Sequence, residues 1–323
     1  MEDIHLFNGF MNPYGGSERE TLAFYSLLKK HGNVYLWATS SRASRDLLSS
    51  YPIKRISLIN CSIPRGGVYI FLCAHWRNKY WTLFLVKPIR LIYVFNTFHP
   101  RIADLIKKHP FWLRWPKSEV VLISNFQSKI LNINGVIHPS PIDISRFTVR
   151  ARNETGVFTI GRLSRDDYQK HNIEDVELYK KWLGLGYKIF IQGGSFLRDQ
   201  LPKHGNLLLT QEGAMPAERF MNQLDVFYYR SGTHVETFGR VVFEAMASGV
   251  PVVFFYYGGY AEHIRHGENG YLFKTSHEAQ EIIQILYSDV ALRRRIGMAG
   301  RITVEKMFSI KAVNKRMEFY QKP

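Results

Sequence analysis

Two glutamates, Glu236 and Glu244, stand with seven residues between them in the stretch SGTHVETFGRVVFEAMASGVPVVFFYYGGYAEHIRHGENGYLF, Ser231 to Phe273. Carboxylates are acceptors for sugar hydroxyls. Between the two acids Thr237, Phe238 and Gly239 form a turn, and RVVFEAMAS reads as a helix with Val241, Val242, Ala245 and Met246 on one face. Gly249 and Pro251 stop that helix, PVVFF reads as a buried parallel strand, and Gly258-Gly259 opens the next turn. A helix beginning near Phe238 has free first amides, so the amides of Phe238 and Gly239 are expected to meet an anion. A phosphate-bearing ligand there meets amides and carboxylates together. A second candidate lies in NPYGGSERE, where Gly15 and Gly16 allow close backbone approach and the following helix start faces a diphosphate.

The elements that must position these groups alternate. Strands are expected near DIHLF, NVYLWA, KRISLI, GVYIFLC, RLIYVF and VVLIS, then near GVFTIGRL, YKIFIQGG, NLLLT, DVFYYR and PVVFF, with helices between most of them. That rhythm predicts an α/β chain of two doubly wound parallel sheets. A length of 323 residues suits two cores. Pro139 and Pro141 stiffen a hinge, and the boundary is placed after Phe147, giving domains 1–147 and 148–305 and a final helix over 306–323.

The whole string from Ser231 resembles the donor-site signature of the family 4 (group 1) retaining glycosyltransferases: ETFG, EAMASGVPVV, GGYAE and ENGYLF match it element by element. The glycine loop at Gly15-Gly16 and the hinge segment VIHPSPIDISRF match the family in the expected order, with Ser140 where Asn is usual. GRLSRDDYQKH resembles the family's G-R-L…K loop, with Lys170 eight residues after Arg162 where five is commoner.

The resemblance implies a GT-B fold, two Rossmann-like domains facing a central cleft, the N-terminal one taking the acceptor and the C-terminal one the donor. It implies that Arg162 and Lys170 hold a diphosphate, Arg as a fork and Lys as a point charge. Glu236 then accepts from donor-sugar hydroxyls and Glu244 from the ribose. A family histidine near the donor sugar corresponds here to His99, with Asn96 as the alternative at the matching place. The implied reaction moves a sugar, with retention, from a UDP- or GDP-sugar to a glycan or glycolipid acceptor, in cell-surface polysaccharide or lipopolysaccharide synthesis. No metal or other cofactor is implied, and no D-x-D string is present. The rival readings are a nucleotide-sugar 2-epimerase of the same fold and a noncatalytic nucleotide-sugar-binding subunit.

Charge bounds the partners. The formal charge is +16, with 19 Lys+Arg against 8 Asp+Glu in residues 1–147 and 24 against 19 thereafter. Such a field suits an anionic partner. Two basic-aromatic patches, HWRNKYW (75–81) and HPFWLRWPK (109–117, with Trp112 and Trp115), point to an acidic membrane surface. No zinc-finger spacing or RNP-like string accompanies them, so nucleic acid ranks lower. MEDIHLFNG lacks the basic and apolar regions of a signal peptide, and Cys61 and Cys73 read as buried thiols in a reducing compartment. A cytoplasmic protein, peripheral on the membrane's inner face, is the expectation.

Overall fold

The computed structural model describes residues 2–72, 80–98, 115–149 and 156–322. The chain divides into two compact units, Met1–Pro141 with Ile310–Pro323, and Ile142–Ser309. Phe147 belongs to the second unit, where its carbonyl accepts a hydrogen bond from Arg301 at 2.7 Å.

The first unit carries seven parallel strands: β1 Ile4–Asn8, β2 Val34–Ala38, β3 Ile53–Arg55, β4 Val68–Leu72, β5 Arg90–Phe95, β6 Ser118–Leu122 and β7 Val136–Ile137. Their order is β3-β2-β1-β4-β5-β6-β7. β1 is central, with Ile4 paired to Val34 on one side and to Val68 on the other. Every residue of β1 and β4 is buried, as a parallel strand covered on both faces requires. One face packs Leu6, Phe24, Ile70 and Ile92 with Met317 and Tyr320 of the last helix, Ile310–Gln321. The other is a run of rings, Phe7, Tyr69, Phe71, Tyr93 and Trp115.

Two expectations change here. Trp115 is 7% exposed and sets its ring edge-on to Tyr69 at 5.7 Å, so it serves the core rather than a membrane-facing patch. Trp81, from the other patch, stacks on Phe7 at 6.0 Å. Residues 75–79 and 109–114 lie outside the described residues, as do Cys73 and Trp112. Cys61 is exposed, because it sits in the turn that joins Ser57 to Ser62 and takes a positive φ of 51°. No described helix is long and apolar enough to cross a membrane.

The second unit repeats the plan with six parallel strands: β8 Thr159–Leu163, β9 Lys188–Gln192, β10 Leu207–Thr210, β11 Val226–Tyr229, β12 Val252–Phe255 and β13 Tyr271–Phe273. The order β10-β9-β8-β11-β12-β13 reverses direction between β8 and β11. Trp182, fully buried in helix Glu174–Gly184, donates its indole N–H to Gln280 of helix Ser276–Ser288 at 2.6 Å.

Candidate functional site

The carboxyl ends of β8 and β11 are neighbours at the point where the strand order reverses. Loops leaving such ends diverge and open a crevice for ligands. Near the end of β8 stands Arg162, 1% exposed. Its Nη1 donates to the Arg230 carbonyl at 2.9 Å, its Nη2 donates to the Lys170 carbonyl, and its guanidinium lies 4.4 Å from the centre of the Tyr229 ring. Both terminal nitrogens thus hold backbone carbonyls. The fork expected to meet a phosphate is engaged with the protein's own loops through one N–H of each terminal nitrogen.

The three residues that lengthen the spacing to Lys170 have their own work. The Asp166 carboxylate accepts from the amides of Ser195 and Phe196, each at 3.3 Å. Asp167 accepts from the Gln169 amide at 3.0 Å and starts a single 3-10 turn, Tyr168–Lys170. That turn delivers the Lys170 ammonium to Glu236, with Nζ 2.5 Å from Oε1. The Tyr229 hydroxyl donates to the same oxygen at 2.6 Å. Burial alone raises the Glu236 pKa, but the Lys170 ammonium and His234 outweigh it and hold the carboxyl well below its ordinary range. Burial also works against the Lys170 ammonium, and Glu236 opposes that. Direct contact between the two settles the balance, and the pair is ionic.

The loop after β11 is pinned onto this turn. The His234 amide donates to the Gln169 carbonyl at 3.1 Å. A Cβ on Gly232 would collide with the His171 carbonyl, so the approach needs glycine. His171 donates from Nε2 to the Gly193 carbonyl at 2.8 Å, and burial, helped by Arg162, pushes its pKa down to about 4. It is a neutral structural histidine at pH 7.

Behind the loop lies a buried ion pair. Arg230 Nη2 sits 2.5 Å from Asp175 Oδ1, and Arg230 Nη1 sits 2.8 Å from Glu174 Oε2. The Tyr228 hydroxyl also donates to Asp175 Oδ1, at 2.6 Å. Sequence reading missed Tyr229, Arg230 and Asp175. An arginine directly after the apolar run VFYY was the available signal; its partner lies 55 residues earlier and reads as an ordinary first-turn acid.

Helix Arg240–Ala247 starts two residues later than expected. Gly239 takes φ 78° as its cap, a conformation open to glycine. The buried Phe238 ring stacks on Phe243 at 4.3 Å and anchors the turn. The Val242 amide already donates to the Gly239 carbonyl, while helix geometry gives Gly239, Arg240 and Val241 no intrahelical acceptor. Glu244 is 4% exposed, and its Oε2 has no hydrogen-bond partner among the described residues.

The remaining candidates belong to the first unit. Gly15 caps helix Gly16–Leu28, and its amide donates to the Asn12 carbonyl at 3.0 Å. In the same loop Glu18 accepts from the amides of Met11 and Asn12 at 3.2 and 3.3 Å, so these two amides already face a carboxylate of the chain. Asn96, after β5, donates to Glu20 at 2.7 Å. His99 lies outside the described residues. In the second unit, then, Arg162, Lys170 and Glu236 come together at one crevice.

Comparison with known proteins bears on this arrangement. The family model for glycosyl transferases group 1 matches residues 143–303. The capsular polysaccharide biosynthesis glycosyltransferase CapM of Staphylococcus aureus is 29% identical over 172 residues, 50% of this chain and 45% of that protein. The N-acetyl-alpha-D-glucosaminyl L-malate synthase of Bacillus anthracis is 42% identical over 76 residues, 23% of this chain and 20% of that one. The matches thus span less than half the length of either relative. Among solved structures, Anabaena Alr3699/HepE in complex with UDP-glucose superposes with a TM-score of 0.76 at 15% identity, covering 99% of each chain. At that identity the likeness establishes the fold, which is GT-B.

Proposed function

Because residues 143–303 are a group 1 glycosyltransferase domain, we propose that this protein is a retaining enzyme of family 4 that moves a sugar from a nucleoside-diphosphate donor to a glycan or lipid-linked acceptor. The observation that carries the reading is Glu244: a carboxylate 4% exposed with an unpartnered oxygen. Such an oxygen is costly unless a donor fills it. A ribose hydroxyl supplies one, and the start of the same helix, capped by Gly239, offers a place for the phosphate that follows.

In this reading Glu244 holds the ribose and Lys170 meets the diphosphate together with the amides of Phe238 and Gly239. Glu236 keeps Oε1 on Lys170 and Tyr229 and offers Oε2 to the donor sugar. Arg162 acts through the backbone, fixing the loop that carries Lys170. As the glycosidic bond breaks, negative charge grows on the departing diphosphate, and the ammonium and amides stabilise it without rearranging. The charge compensation comes from the protein, with no metal in the scheme. The sugar's configuration is retained by attack on the face from which the diphosphate leaves.

UDP is the first donor base to test, since the superposing Anabaena protein was solved with UDP-glucose; GDP is the second. The name of the Staphylococcus relative supports an acceptor in surface polysaccharide synthesis. The basic first half supports contact with an acidic inner membrane face, the acceptor being held in the first unit. A thermal-shift screen of nucleoside diphosphates and their sugars tests the reading, because a ligand bound to the folded state raises its stability by mass action. A rise in melting temperature with UDP or GDP and their sugars supports it. No shift with any of them at millimolar concentration sinks it.

A further inference from the structure

Glu236 divides its two oxygens between two tasks. Oε1 is occupied by the Lys170 ammonium at 2.5 Å and the Tyr229 hydroxyl at 2.6 Å. Oε2 faces the imidazole of His234, with Nε2 at 3.8 Å. That separation is too long for a hydrogen bond. An oxygen beside the pair, on its solvent side, can still lie within hydrogen-bond reach of both.

The backbone holds this gap in place. The His234 amide is bonded to the Gln169 carbonyl, and Gly232 packs against the His171 carbonyl in a contact that no side chain permits. On the other side, the Glu236 carbonyl accepts from the Gly259 amide at 2.9 Å. The carboxylate is 13% exposed and the imidazole 32%, so the gap is reachable from solvent while its far side is closed by Lys170 and Tyr229. Thr233 and His234 belong to a loop of five residues between Arg230 and Glu236, and His234 is its titratable side chain.

We infer that His234 is a donor-sugar-binding residue that grips one sugar hydroxyl jointly with Glu236. A hydroxyl is both donor and acceptor. Its O–H donates to Glu236 Oε2, and its lone pair accepts from His234 Nε2–H. The two contacts fix the hydroxyl in position and in rotation, which neither gives alone. The substrate class follows: donors with a free hydroxyl at this position are favoured over their deoxy analogues, which forgo both contacts, and over O-methyl analogues, which cannot donate to Glu236. The inference rests on the donor-site reading above and adds to it a second residue, beside Glu236, that reads the sugar rather than the nucleotide.

The test is calorimetric titration of the wild-type chain, His234→Ala and His234→Gln with UDP, GDP, UDP-glucose and GDP-mannose. Alanine is expected to weaken the nucleotide-sugar that wild type binds by about five- to tenfold, one hydrogen bond to a charged partner's site. Free diphosphate should stay within about twofold, since it lacks the sugar. Glutamine keeps an N–H donor and should recover part of the loss. Unchanged nucleotide-sugar affinity in His234→Ala overturns the inference. So does a parallel fall for the free diphosphate, which marks His234 as a loop-shaping residue. Absence of binding by the wild type to all four ligands removes the donor-site reading itself, and this inference with it.

Discussion

The Lys170 ammonium and the Glu236 carboxylate are in contact at 2.5 Å although 66 residues separate them in the chain. The sequence pattern assigns one to a phosphate and the other to a sugar. Their contact makes the two proposed roles interdependent: the cation proposed to meet the leaving group also orients the acid proposed to hold the sugar.

Lys170→Ala is expected to reduce diphosphate affinity and to lower stability by about 3–5 kcal/mol, since it strands a buried carboxylate. Glu236→Gln should lower kcat more than it raises KM while diphosphate still binds, because the neutral amide keeps the shape but loses the charge. The pH dependence has a definite sign. The folded pKa of Glu236 is depressed, so its stabilisation is present above the ordinary carboxylate range and is lost as pH falls through the folded value. The stability difference between wild type and Glu236→Gln should therefore hold steady from pH 7 down to about 4.5 and shrink below it. A difference that already collapses between pH 7 and 6 contradicts the pairing.

Arg230→Ala removes the partner of Asp175 and should cost about 3–5 kcal/mol. Its effect should reach the site, because Arg162 holds the Arg230 carbonyl with one nitrogen and the Lys170 carbonyl with another. Combining Arg230→Leu with Asp175→Leu should recover much of the stability, since a buried ion pair replaced by apolar groups is often neutral. Denaturant titration of the single and the double variant decides it. Equal losses in the single and double variants count against the pair.

His171 adds an acid-sensitive step. It is buried and neutral with its pKa near 4, so below pH 6.5 the unfolded chain takes up a proton that the folded chain refuses, and stability falls with falling pH. The loss approaches about 3 kcal/mol by pH 4. His171→Gln should make the slope of stability between pH 6.5 and 5 shallower by about one proton. An unchanged slope refutes the assignment.

Much of this was legible beforehand. Strands buried on both faces, such as IHLFN and VFYY, announce themselves as unbroken apolar runs. Glu236 and Glu244 stand in one local string and Arg162 in another, and each can be read without knowing the fold. What escaped depends on distance. Asp175 reads as a solvated acid at a helix start until the fold sets Arg230 against it. The eight-residue step to Lys170 looks like a defect until Asp166 and Asp167 are seen binding three amides to build the turn. β7 and β13 are two- and three-residue edge strands, too short to carry a period.

Trp115 gives a prediction opposite to the one its composition suggests. As a core ring, its replacement by Ala should destabilise the chain by about 3–5 kcal/mol. Melting temperature and sedimentation with acidic vesicles, measured together, separate the cases. A variant that melts like wild type yet loses vesicle binding would place Trp115 on the surface instead.

The central claim is that the second unit binds a nucleoside diphosphate through Glu244 and the ribose. The most direct measurement is a four-titration cycle: wild type and Glu244→Gln, each against UDP and 2′,3′-dideoxy-UDP, with the guanosine pair used in the same way if GDP is the tighter ligand. The account predicts that wild type loses about 1.5–3 kcal/mol of binding when the hydroxyls are removed. It also predicts that Glu244→Gln loses nearly as much with the intact ligand, and that the dideoxy ligand binds both proteins almost alike. If removing the hydroxyls weakens binding equally in both proteins, Glu244 does not hold the ribose and the proposed donor site is wrong.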